Sequence, residues 1–502
     1  MSAHATQTAE TALFAASRDR FETIMGWLTG AQAAGLEHAD LETQLECEGR
    51  QLLRQLLADH LELRACREQR MTGVVDADGV ERTTVETAHR RTLTSVFGDV
   101  TVERVAYRRR GHANLHPADA ALNLPAEKHS HGLRRLAAIE ASRGSFDTAV
   151  EAIARACGQQ LGKRQVEALA ARTVVDFAAF YTGRQPPPGD PDDVLVLSAD
   201  GKGIVMRPEA LRATTRKAAE GSATKLATRL SKGEKRHRKR LAEIGAVYDI
   251  TPAARSPADV IAHHDAADTA PTPAADGKWL TASVVDDAAE VITQIFDEAD
   301  RRDLDHARTW VALVDGNNHQ IDRITAEATT RGVDVAIIID FVHVLEYLWR
   351  AAWSFYDEAD PAAETWVADK ATAVLTGRAR QVTAGIRRRA TRHGLDASRR
   401  ANADRCATYL ANKAAYLDYP TALASGWPIA TGVIEGACRH LVKDRMDITG
   451  ARWGLQGAEA ILKLRALRAN GDFDDYWSFH LAQERQRVHQ SRYLDNTIPQ
   501  AP

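Results

Sequence analysis

Three acidic residues of this chain follow or interrupt apolar segments in a way that could bind metal. Asp200 follows VLVLSA, Asp315 follows WVALV, and Glu435 lies within ATGVIEGACRHLVKDR. A carboxylate at the end of a buried strand is costly unless something binds it. Carboxylates that converge from distant segments can hold paired divalent ions, which cleave and join phosphodiesters. We therefore predict these three residues as the catalytic, metal-binding groups of an enzyme that acts on the DNA backbone.

The elements that must position these residues alternate in type along the chain. Hydrophobic periodicity predicts five strands, at residues 194–200, 244–250, 279–287, 309–315 and 334–340. A helix follows each of the last three strands. Three strands followed by alternation with helices is the order of a ribonuclease-H-like α/β core. Asp200 would end the first strand and Asp315 the fourth. Each also precedes a glycine, however, and Asp-Gly commonly begins a simple turn.

A second acidic group lies in the segment IIIDFVHVLEYLW. Asp340 could cap the helix that follows, or it could take the place of Asp315 as a metal ligand. His343 falls one turn into that helix and could hydrogen-bond phosphate or a catalytic carboxylate. We favour Asp315 as the second ligand because it follows the fourth predicted strand, whereas Asp340 follows the fifth.

Basic residues near Glu435 are predicted to face the DNA backbone. At helical spacing, Glu435, Arg439 and Val442 share one face. Arg439 and Lys443 would then bring positive charge beside the carboxylate. A zinc site built from Cys438 and the histidine two residues later is not favoured, because side chains two apart on a helix point in different directions.

The N-terminal part reads as helices, a β-hairpin and a helix-turn-helix. Leucines recur at helical spacing in LETQLECEGRQLLRQLLADHLELR, which is typical of a packed helical hairpin or a self-association surface. Alternating valines around Gly98 predict a hairpin over 88–110. Within 132–180, a second helix beginning with Lys163, Arg164 and Gln165 could enter a major groove. Helix pairs of this kind also occur in ordinary cores.

The segment 212–240 is the most basic of the chain, with eleven lysines and arginines against two glutamates. Such a density of one sign favours an arm that contacts phosphates over a merely solvated loop. The residues that we expect to contact DNA here are Lys235, Arg236, Arg238, Lys239 and Arg240.

The predicted domains follow from these patterns and from the proline-rich linker at 181–193. They are a helical region (1–85), a hairpin and helix-turn-helix region (86–180), a catalytic core (194–359) carrying the basic insertion, a helical insertion (360–425), and a final core segment with the third carboxylate (426–490).

Composition limits the compartment and the partners. The 502 residues carry a net charge of −3, so any DNA-binding surface must be local. Five scattered cysteines without a CxxC pair indicate a reducing cytosol. No apolar run approaches the roughly 20 residues of a membrane span. We expect a cytoplasmic, nucleoid-associated protein.

Longer motifs narrow the prediction. SADGKGIVMRPEALR, VALVDGNNHQIDRI, DFVHVLEYLW and GWPIATGVIEGACRHLVKDRMDITGARW resemble transposases of bacterial insertion sequences of the ISKra type, which are similar to mutator-like transposases. The resemblance implies a DDE triad of Asp200, Asp315 and Glu435 with His343 as an accessory residue. It also implies two Mg²⁺ or Mn²⁺ ions. Where mutator-like proteins often carry a cysteine before that histidine, this chain has Asp340.

The implied reaction is transposition. The enzyme would bind the terminal inverted repeats of its element, hydrolyse phosphodiester bonds there, and direct the freed 3′-hydroxyls into target DNA. Synapsis of two ends implies at least a homodimer. Trp427, Trp453 and Arg452 could clamp flipped bases or belong to the core. Two other functions remain open: a nuclease or resolvase that cuts without joining, and a non-catalytic helix-turn-helix regulator.

Overall fold

The computed structural model describes residues 11–187, 189–221, 238–261, 274–448 and 450–500. The chain forms two units. One comprises Met1–Thr182 together with Asp472–Pro502, and the other comprises Gly183–Gly471. The second unit is therefore inserted into the sequence of the first. We predicted that 426–490 would belong to the catalytic core, but the chain from Asp472 onward packs in the N-terminal unit.

The N-terminal unit begins with helices and a two-stranded sheet. Its elements up to the unit boundary are α1 (Ala15–Leu28), α2 (Ala31–Ala34), α3 (His38–Arg67), β1 (Thr84–Ser95), β2 (Gly98–Arg108), α4 (Pro117–Ala121), α5 (His131–Arg143), α6 (Phe146–Cys157), α7 (Lys163–Thr173) and α8 (Phe177–Gly183).

The β-hairpin has the predicted antiparallel pairing, with Ser95 opposite Gly98. Alternate residues of its strands, Leu93, Val100 and Val102, pack with Leu61 of α3 in a buried cluster. The inward-facing valines of the sequence pattern thus become the contact between the hairpin and the long helix, because side chains alternate across a strand.

The two predicted helices of the helix-turn-helix are α6 and α7. Ser145 caps α6, with its Oγ accepting a hydrogen bond from the Thr148 amide at 3.0 Å. Gly158 ends this helix in the left-handed region, at φ 73°. The side chain of Gln165 folds back to accept from the amide of Gly162 at 2.8 Å. These are standard helix-end devices. The predicted start of the second helix at Lys163 is confirmed.

The second unit is built on a five-stranded mixed sheet. Its first elements are β3 (Val194–Val205), α9 (Ala213–Glu220), β4 (Lys239–Ile250), α10 (Pro257–Ile261), β5 (Ala275–Ser283), α11 (Ala288–Arg302), β6 (Trp310–Val314), α12 (Asn318–Arg331), β7 (Val335–Ile339) and α13 (Phe341–Ala352). The strand order is β5-β4-β3-β6-β7.

Pairing in this sheet changes from antiparallel to parallel at β3. β3 pairs antiparallel with β4 over twelve residues and parallel with β6 over only four, ending at Ser198 opposite Leu313. β6 pairs parallel with β7. All five residues of β6 are buried, as expected for a strand covered on both faces.

Several strand boundaries were predicted wrongly: β4 begins at Lys239 rather than at residue 244, and β5 spans Ala275–Ser283 rather than 279–287. We expected Asp200 to end the first strand, but β3 continues to Val205 because β4 pairs with it along its whole length. Gly201 therefore does not begin a turn. A Cβ atom at Gly201 would come within 2.8 Å of Cδ2 of Leu241 on β4, so a residue without a side chain fits this close approach.

The predicted insertion is helical, and the chain then returns to the sheet. Its elements and those that follow are α14 (Pro361–Leu375), α15 (Ala379–Arg392), α16 (Ala397–Asn412), α17 (Tyr419–Ala424), α18 (Gly432–Ala437), a π-helix (Cys438–Lys443), α19 (Asp444–Met446), α20 (Leu455–Ala469) and, in the N-terminal unit, α21 (Phe473–Val488).

Buried charge pairs hold α21 within the N-terminal unit. Arg134 of α5 is 1% exposed and donates to both carboxylate oxygens of Glu484 at 2.6 and 2.7 Å. Asp176 accepts from His480 at 2.6 Å and from Arg487 at 2.8 Å. We call these five residues the N-terminal charge cluster. Its partners lie more than 300 residues apart in sequence, so periodicity alone could not reveal them.

Within the described ranges, the helices are too short or too polar to cross a membrane.

Candidate metal centre

Three aspartates lie just beyond the last parallel pairs of three neighbouring strands. Continuing the β3–β6 register two residues beyond Ser198 and Leu313 brings Asp200 opposite Asp315. Continuing the β6–β7 register one residue beyond Val314 and Ile339 brings Asp315 opposite Asp340. Since neighbouring strands lie about 4.8 Å apart, these carboxylates line one edge of the sheet.

Asp340 is fully buried, and its carboxylate is already engaged. Its Oδ1 accepts from the amide of Val342 at 2.8 Å, which caps α13. Its Oδ2 accepts from the Thr431 hydroxyl and from Nδ1 of His343, the latter at 3.1 Å. The capping role that we considered for Asp340 is therefore present. Because Nδ1 of His343 faces this carboxylate, Nε2 is the ring nitrogen left for another ligand.

Glu435 lies beside this pair. Asp340, His343 and Glu435 each offer a ligand atom, and these atoms lie within 4.8 Å of one another. Glu435 is exposed on α18. The favoured set of Asp200, Asp315 and Glu435 does not form a group of this tightness among the described residues, whereas the rival Asp340 does belong to one with Glu435.

Asp200 is held from two sides. Its Oδ1 accepts from the amide of Gly201 at 2.6 Å. Its Oδ2 accepts from the thiol of Cys438 at 3.1 Å. Cys438 is three residues after Glu435, so the same helical segment carries a ligand candidate and a group that orients another. Burial and then the neighbouring Asp200 raise the pKa of the Cys438 thiol, which keeps it protonated and able to donate.

Asp315 lies in a tight turn immediately after β6. Its Oδ1 accepts from the amide of Asn317 at 2.8 Å. Gly316 has φ 93°, a conformation that glycine adopts without strain. The turn reading of Asp-Gly, wrong at Asp200, thus holds here. Asp315 is half-buried, and its main-chain carbonyl accepts from the Tyr409 hydroxyl at 3.1 Å.

These four carboxylates, Asp200, Asp315, Asp340 and Glu435, together with His343, form what we call the sheet-edge cluster. Negative charge dominates it. Partial loss of hydration and then repulsion by Asp340 and Asp200 raise the pKa of Glu435. The hydrogen bond to Asp340 and the nearby Asp315 raise the pKa of His343. Among the described residues, no arginine or lysine forms an ion pair with Asp200, Asp315 or Glu435. Both shifts are relieved when a cation binds.

The basic residues predicted at the helix-turn-helix are only partly available to DNA. Lys163 forms an ion pair with Asp147, and Gln165 is used in capping α7. Arg164 is exposed. All three residues nevertheless lie exposed at the start of α7, as a contact with DNA requires.

The basic insertion gives a divided result. Lys235 and Arg236 lie outside the described residues. Lys239 is exposed and Arg238 is half-buried. Arg240 was predicted to contact DNA, but its guanidinium donates to the carbonyls of Val284 at 2.6 Å and of Ala210 at 3.4 Å. It therefore ties the start of β4 to neighbouring segments, and its contact with DNA stays a prediction.

The segment after Glu435 is not a regular α-helix. A π-helix over Cys438–Lys443 adds residues to each turn. Val442 is consequently buried, and our placement of Val442 on the face of Glu435 and Arg439 was wrong. Arg439 and Lys443 are exposed, as a role in DNA contact requires.

The tryptophans considered for base clamping are mostly committed to the core. Trp453 is 5% exposed, and the Arg445 guanidinium lies over its ring at 4.7 Å from the centroid. Trp427 is half-buried, whereas Arg452 is exposed. The core-packing alternative therefore holds for Trp453.

Sequence reasoning missed a further carboxylate near the site. Glu243 on β4 lies opposite Gly201 and points to the other face of the sheet from Asp200, since side chains alternate along a strand. It is buried. Burial and then Asp200 and Asp287 raise its pKa to about 7, against the opposing effect of Arg212. Glu243 lies in the polar first part of a strand, KRLAEI, and nothing in that sequence pattern marks it as a functional residue.

Comparisons with known proteins supply no family: neither a scan against protein-family models nor a search of curated proteins finds a match to this chain.

Proposed function

We propose that this protein is a DNA transposase with a ribonuclease-H-like core, which cleaves the ends of an insertion sequence and joins the freed 3′-hydroxyls to target DNA. The observation that carries the proposal is the register of Asp200, Asp315 and Asp340 at the ends of neighbouring parallel pairings, with Glu435 beside them. The resemblance of the surrounding motifs to ISKra-type transposases supports the same function.

The sheet topology supports this fold assignment. Three antiparallel strands come first and two parallel strands follow, in the spatial order β5-β4-β3-β6-β7. That is the arrangement expected of a ribonuclease-H-like core, in which the first and fourth strands are central neighbours. The two strands that carry Asp200 and Asp315 are neighbours in this way.

The donor atoms suit divalent magnesium or manganese. These ions prefer oxygen ligands, and Mg²⁺ keeps several waters, so a few carboxylates suffice. Asp200, Asp315 and Glu435 would hold the ions. When bound, the ions activate the attacking oxygen and neutralise charge on the leaving oxygen. The raised pKa of Glu435 and that of His343 support a site that gains by accepting positive charge.

The remaining groups orient the ligands. Asp340, with its oxygens engaged by Val342, Thr431 and His343, holds Nδ1 of the imidazole, so that Nε2 is the nitrogen that would meet a substrate. A protonated His343 would donate from this nitrogen to a phosphate oxygen. The Cys438 thiol fixes one carboxylate oxygen of Asp200. In this scheme Asp340 is a supporting group, and Asp315 remains the second ligand.

The exposed basic residues would follow the DNA backbone. Arg439 and Lys443 lie on the segment that carries Glu435, and Arg164 lies at the start of α7. Because phosphate contacts supply sequence-independent affinity, removal of Arg439 or Lys443 should weaken binding to all duplexes and reduce its salt dependence. A clamp on the inverted repeat would instead depend on Arg164.

The test is a cleavage and strand-transfer assay on the purified full chain. The substrate is a labelled duplex that carries the terminal inverted repeat flanking the gene, with supercoiled plasmid as the target, in Mg²⁺ or Mn²⁺ and in EDTA. We expect metal-dependent nicking at the repeat end and covalent joining to the plasmid. Asp200→Asn and Asp315→Asn should abolish both products, whereas Asp369→Asn, an exposed site in the helical insertion, should not.

The products separate the competing functions. Cleavage without joining would replace the transposase with a nuclease or resolvase. Specific binding to the repeat that survives Asp200→Asn, without any cleavage by the wild type, would favour a non-catalytic regulator. Full cleavage by both aspartate variants would remove the metal-site assignment.

A further inference from the structure

Two tyrosines of the helical insertion donate to the main chain where the two parallel strands end. The hydroxyl of Tyr409, on α16, donates to the carbonyl of Asp315 at 3.1 Å. The hydroxyl of Tyr419, at the start of α17, donates to the carbonyl of Ile339 at 2.8 Å. Ile339 directly precedes Asp340. The insertion is therefore bonded to the backbone at the two strand ends that are followed by Asp315 and Asp340.

Tyr409 also contacts the helix that carries His343. Its ring stacks on Tyr347 with centroids 4.0 Å apart and an interplanar angle of 12°. Tyr347 lies on α13 four residues after His343, hence on the same helical face one turn later. A single side chain thus joins the Asp315 turn to the helix of the accessory histidine.

The turn itself leaves little room for Tyr409 to move. A Cβ atom at Gly316 would lie 3.0 Å from the Tyr409 hydroxyl and 3.2 Å from Cδ1 of Ile339. One turn beyond Tyr409, the buried Lys413 donates to the side chain of Asn318, the first residue of α12. The turn from Asp315 to Asn318 is therefore held at both of its ends by α16 and the residue that follows it.

We propose that Tyr409 is a positioning residue of the metal centre, which sets the place of the Asp315 carboxylate relative to His343. This inference rests on the proposed function, in which Asp315 is a metal ligand. Asp315 lies beyond the last paired residue of β6, so the sheet alone does not fix it. The hydroxyl of Tyr409 fixes the main chain of Asp315 by its hydrogen bond. The ring of Tyr409, stacked on Tyr347, holds that main chain at a set distance from α13. In this view the helical insertion helps to position a metal ligand.

The proposal is tested by measuring the affinity of the full chain for Mn²⁺. Binding is detected by electron paramagnetic resonance in the absence of DNA. Tyr409→Phe keeps the ring and its stacking but loses the hydroxyl. Because groups that support a metal ligand typically contribute roughly 10–100-fold to metal affinity, we expect at least a tenfold weaker Mn²⁺ affinity. The matched control is Tyr356→Phe, which removes a hydroxyl that accepts from Arg389 within the insertion, far along the chain from Asp315.

A second variant keeps the test decisive if Tyr409→Phe folds poorly. Gly316→Ala introduces the Cβ contact and disfavours the positive φ, so it should also weaken Mn²⁺ binding. In the Tyr409→Phe background the clash with the hydroxyl is gone, and Gly316→Ala should cost a smaller factor than in the wild type. Such non-additivity is expected only for groups in contact.

The outcomes separate this inference from the proposed function. Wild-type Mn²⁺ affinity in Tyr409→Phe, an equal loss in Tyr356→Phe, or a lower unfolding temperature without a change in Mn²⁺ affinity would each overturn the positioning role. Failure of the wild type to bind Mn²⁺ would overturn it together with the metal site. Normal Mn²⁺ binding and the expected Tyr409 effect, but no action on DNA, would leave the inference standing and remove the transposase.

Discussion

Each unit of this protein holds a group of clustered carboxylates, and the two groups differ in how their charge is balanced. In the N-terminal charge cluster, arginines lie directly against the acids, at 2.6 Å from Glu484 and 2.8 Å from Asp176. In the sheet-edge cluster, four carboxylates share one imidazole and one thiol. The residue types are similar, but only in the first group do basic side chains of the same unit balance the negative charge.

The direction of the pKa shifts follows this difference. Burial opposes ionisation of Asp176, but hydrogen bonds from Arg487 and His480 outweigh it and hold its pKa below the ordinary value. The pKa of Glu484 is lowered in the same way by Arg134. The pKa of Glu435 is raised instead. A cluster whose charges are balanced stabilises the fold, whereas a cluster with excess negative charge favours the binding of a cation.

The largest expected effect is on chemistry at the unbalanced cluster. Glu435→Gln keeps the shape of the side chain but removes its charge. Because bound metal contributes several kcal/mol to stabilising transition-state charge, we expect cleavage to fall by about 1000-fold or more. The unfolding temperature should be unchanged or slightly higher, since the repulsion between Glu435 and Asp340 is removed. Rates on the repeat-end duplex and calorimetry of the same preparation measure the two effects.

The comparison would break if Glu435→Gln destabilised the fold strongly while cleavage persisted. Glu435 would then be part of a balanced structural network like that of Glu484.

The matched change in the balanced cluster should have the opposite result. Glu484→Gln removes the closer of the two carboxylates paired with the buried guanidinium of Arg134 and leaves Glu127 at 3.5 Å. Breaking a buried pair costs about 3–5 kcal/mol. We expect a lower urea midpoint for the N-terminal unit. Mn²⁺ binding by the folded protein should not change. Asp474→Asn on the same helix, whose partner Arg135 is exposed, serves as the control and should cost less than about 1 kcal/mol.

An intermediate effect is expected from pH, and its sign differs between the units. The lowered pKa values of Asp176 and Glu484 stabilise the N-terminal unit above about pH 4, and this stability is lost as the pH falls through the folded-state values. Glu243, with its pKa raised from 4.5 to about 7, contributes stability that is present in acid and lost as the pH rises through about 7.

Glu243→Gln tests that sign directly. It should stabilise the protein at pH 8 by on the order of 3 kcal/mol at most, and it should have little effect near pH 4. Urea unfolding of the variant and the wild type at both pH values provides the measurement. An equal effect at the two pH values would show that the side chain acts through packing rather than through its charge.

The smallest expected effect comes from the thiol. Cys438→Ala removes a hydrogen bond to Asp200 worth roughly 1 kcal/mol, so cleavage should fall about 3- to 10-fold. Cys438→Ser retains a donor and should recover most of the loss. Cys406→Ala, a buried cysteine of α16, is the control. If serine and alanine had the same effect, the thiol would not orient Asp200.

Much of the sheet could be predicted because its signals are local. Apolar runs such as VLVLSA and WVALV identified the strands, and their order with the helices indicated the chain path. The extent of β3 could not be predicted, because it depends on the twelve-residue pairing with β4. The same Asp-Gly pair forms a turn at Gly316 and continues a strand at Gly201. The difference comes from the neighbouring strand, because β4 pairs with Gly201.

The site was predictable in its acids but not in its supporting contacts. Asp340 was recognised as a helix cap and a rival ligand, yet its full burial depends on Thr431, 91 residues away. The Cys438 thiol reaches Asp200 across 238 residues. The π-helix also escaped prediction, since no residue pattern specifies an i→i+5 turn as clearly as heptad or capping signals specify an α-helix.

The chain leaves the N-terminal unit at Thr182 and re-enters it at Asp472, which has a consequence for biosynthesis. Arg134 and Asp176 are made early, but their partners on α21 leave the ribosome only after the whole of Gly183–Gly471 has been translated. At about 5–20 residues per second this delay is roughly 15–60 s. During that time the sheet-bearing unit can fold, while Arg134 and Asp176 lack their partners on α21. The N-terminal unit, although begun first, is thus completed only by the segment from Asp472 onward.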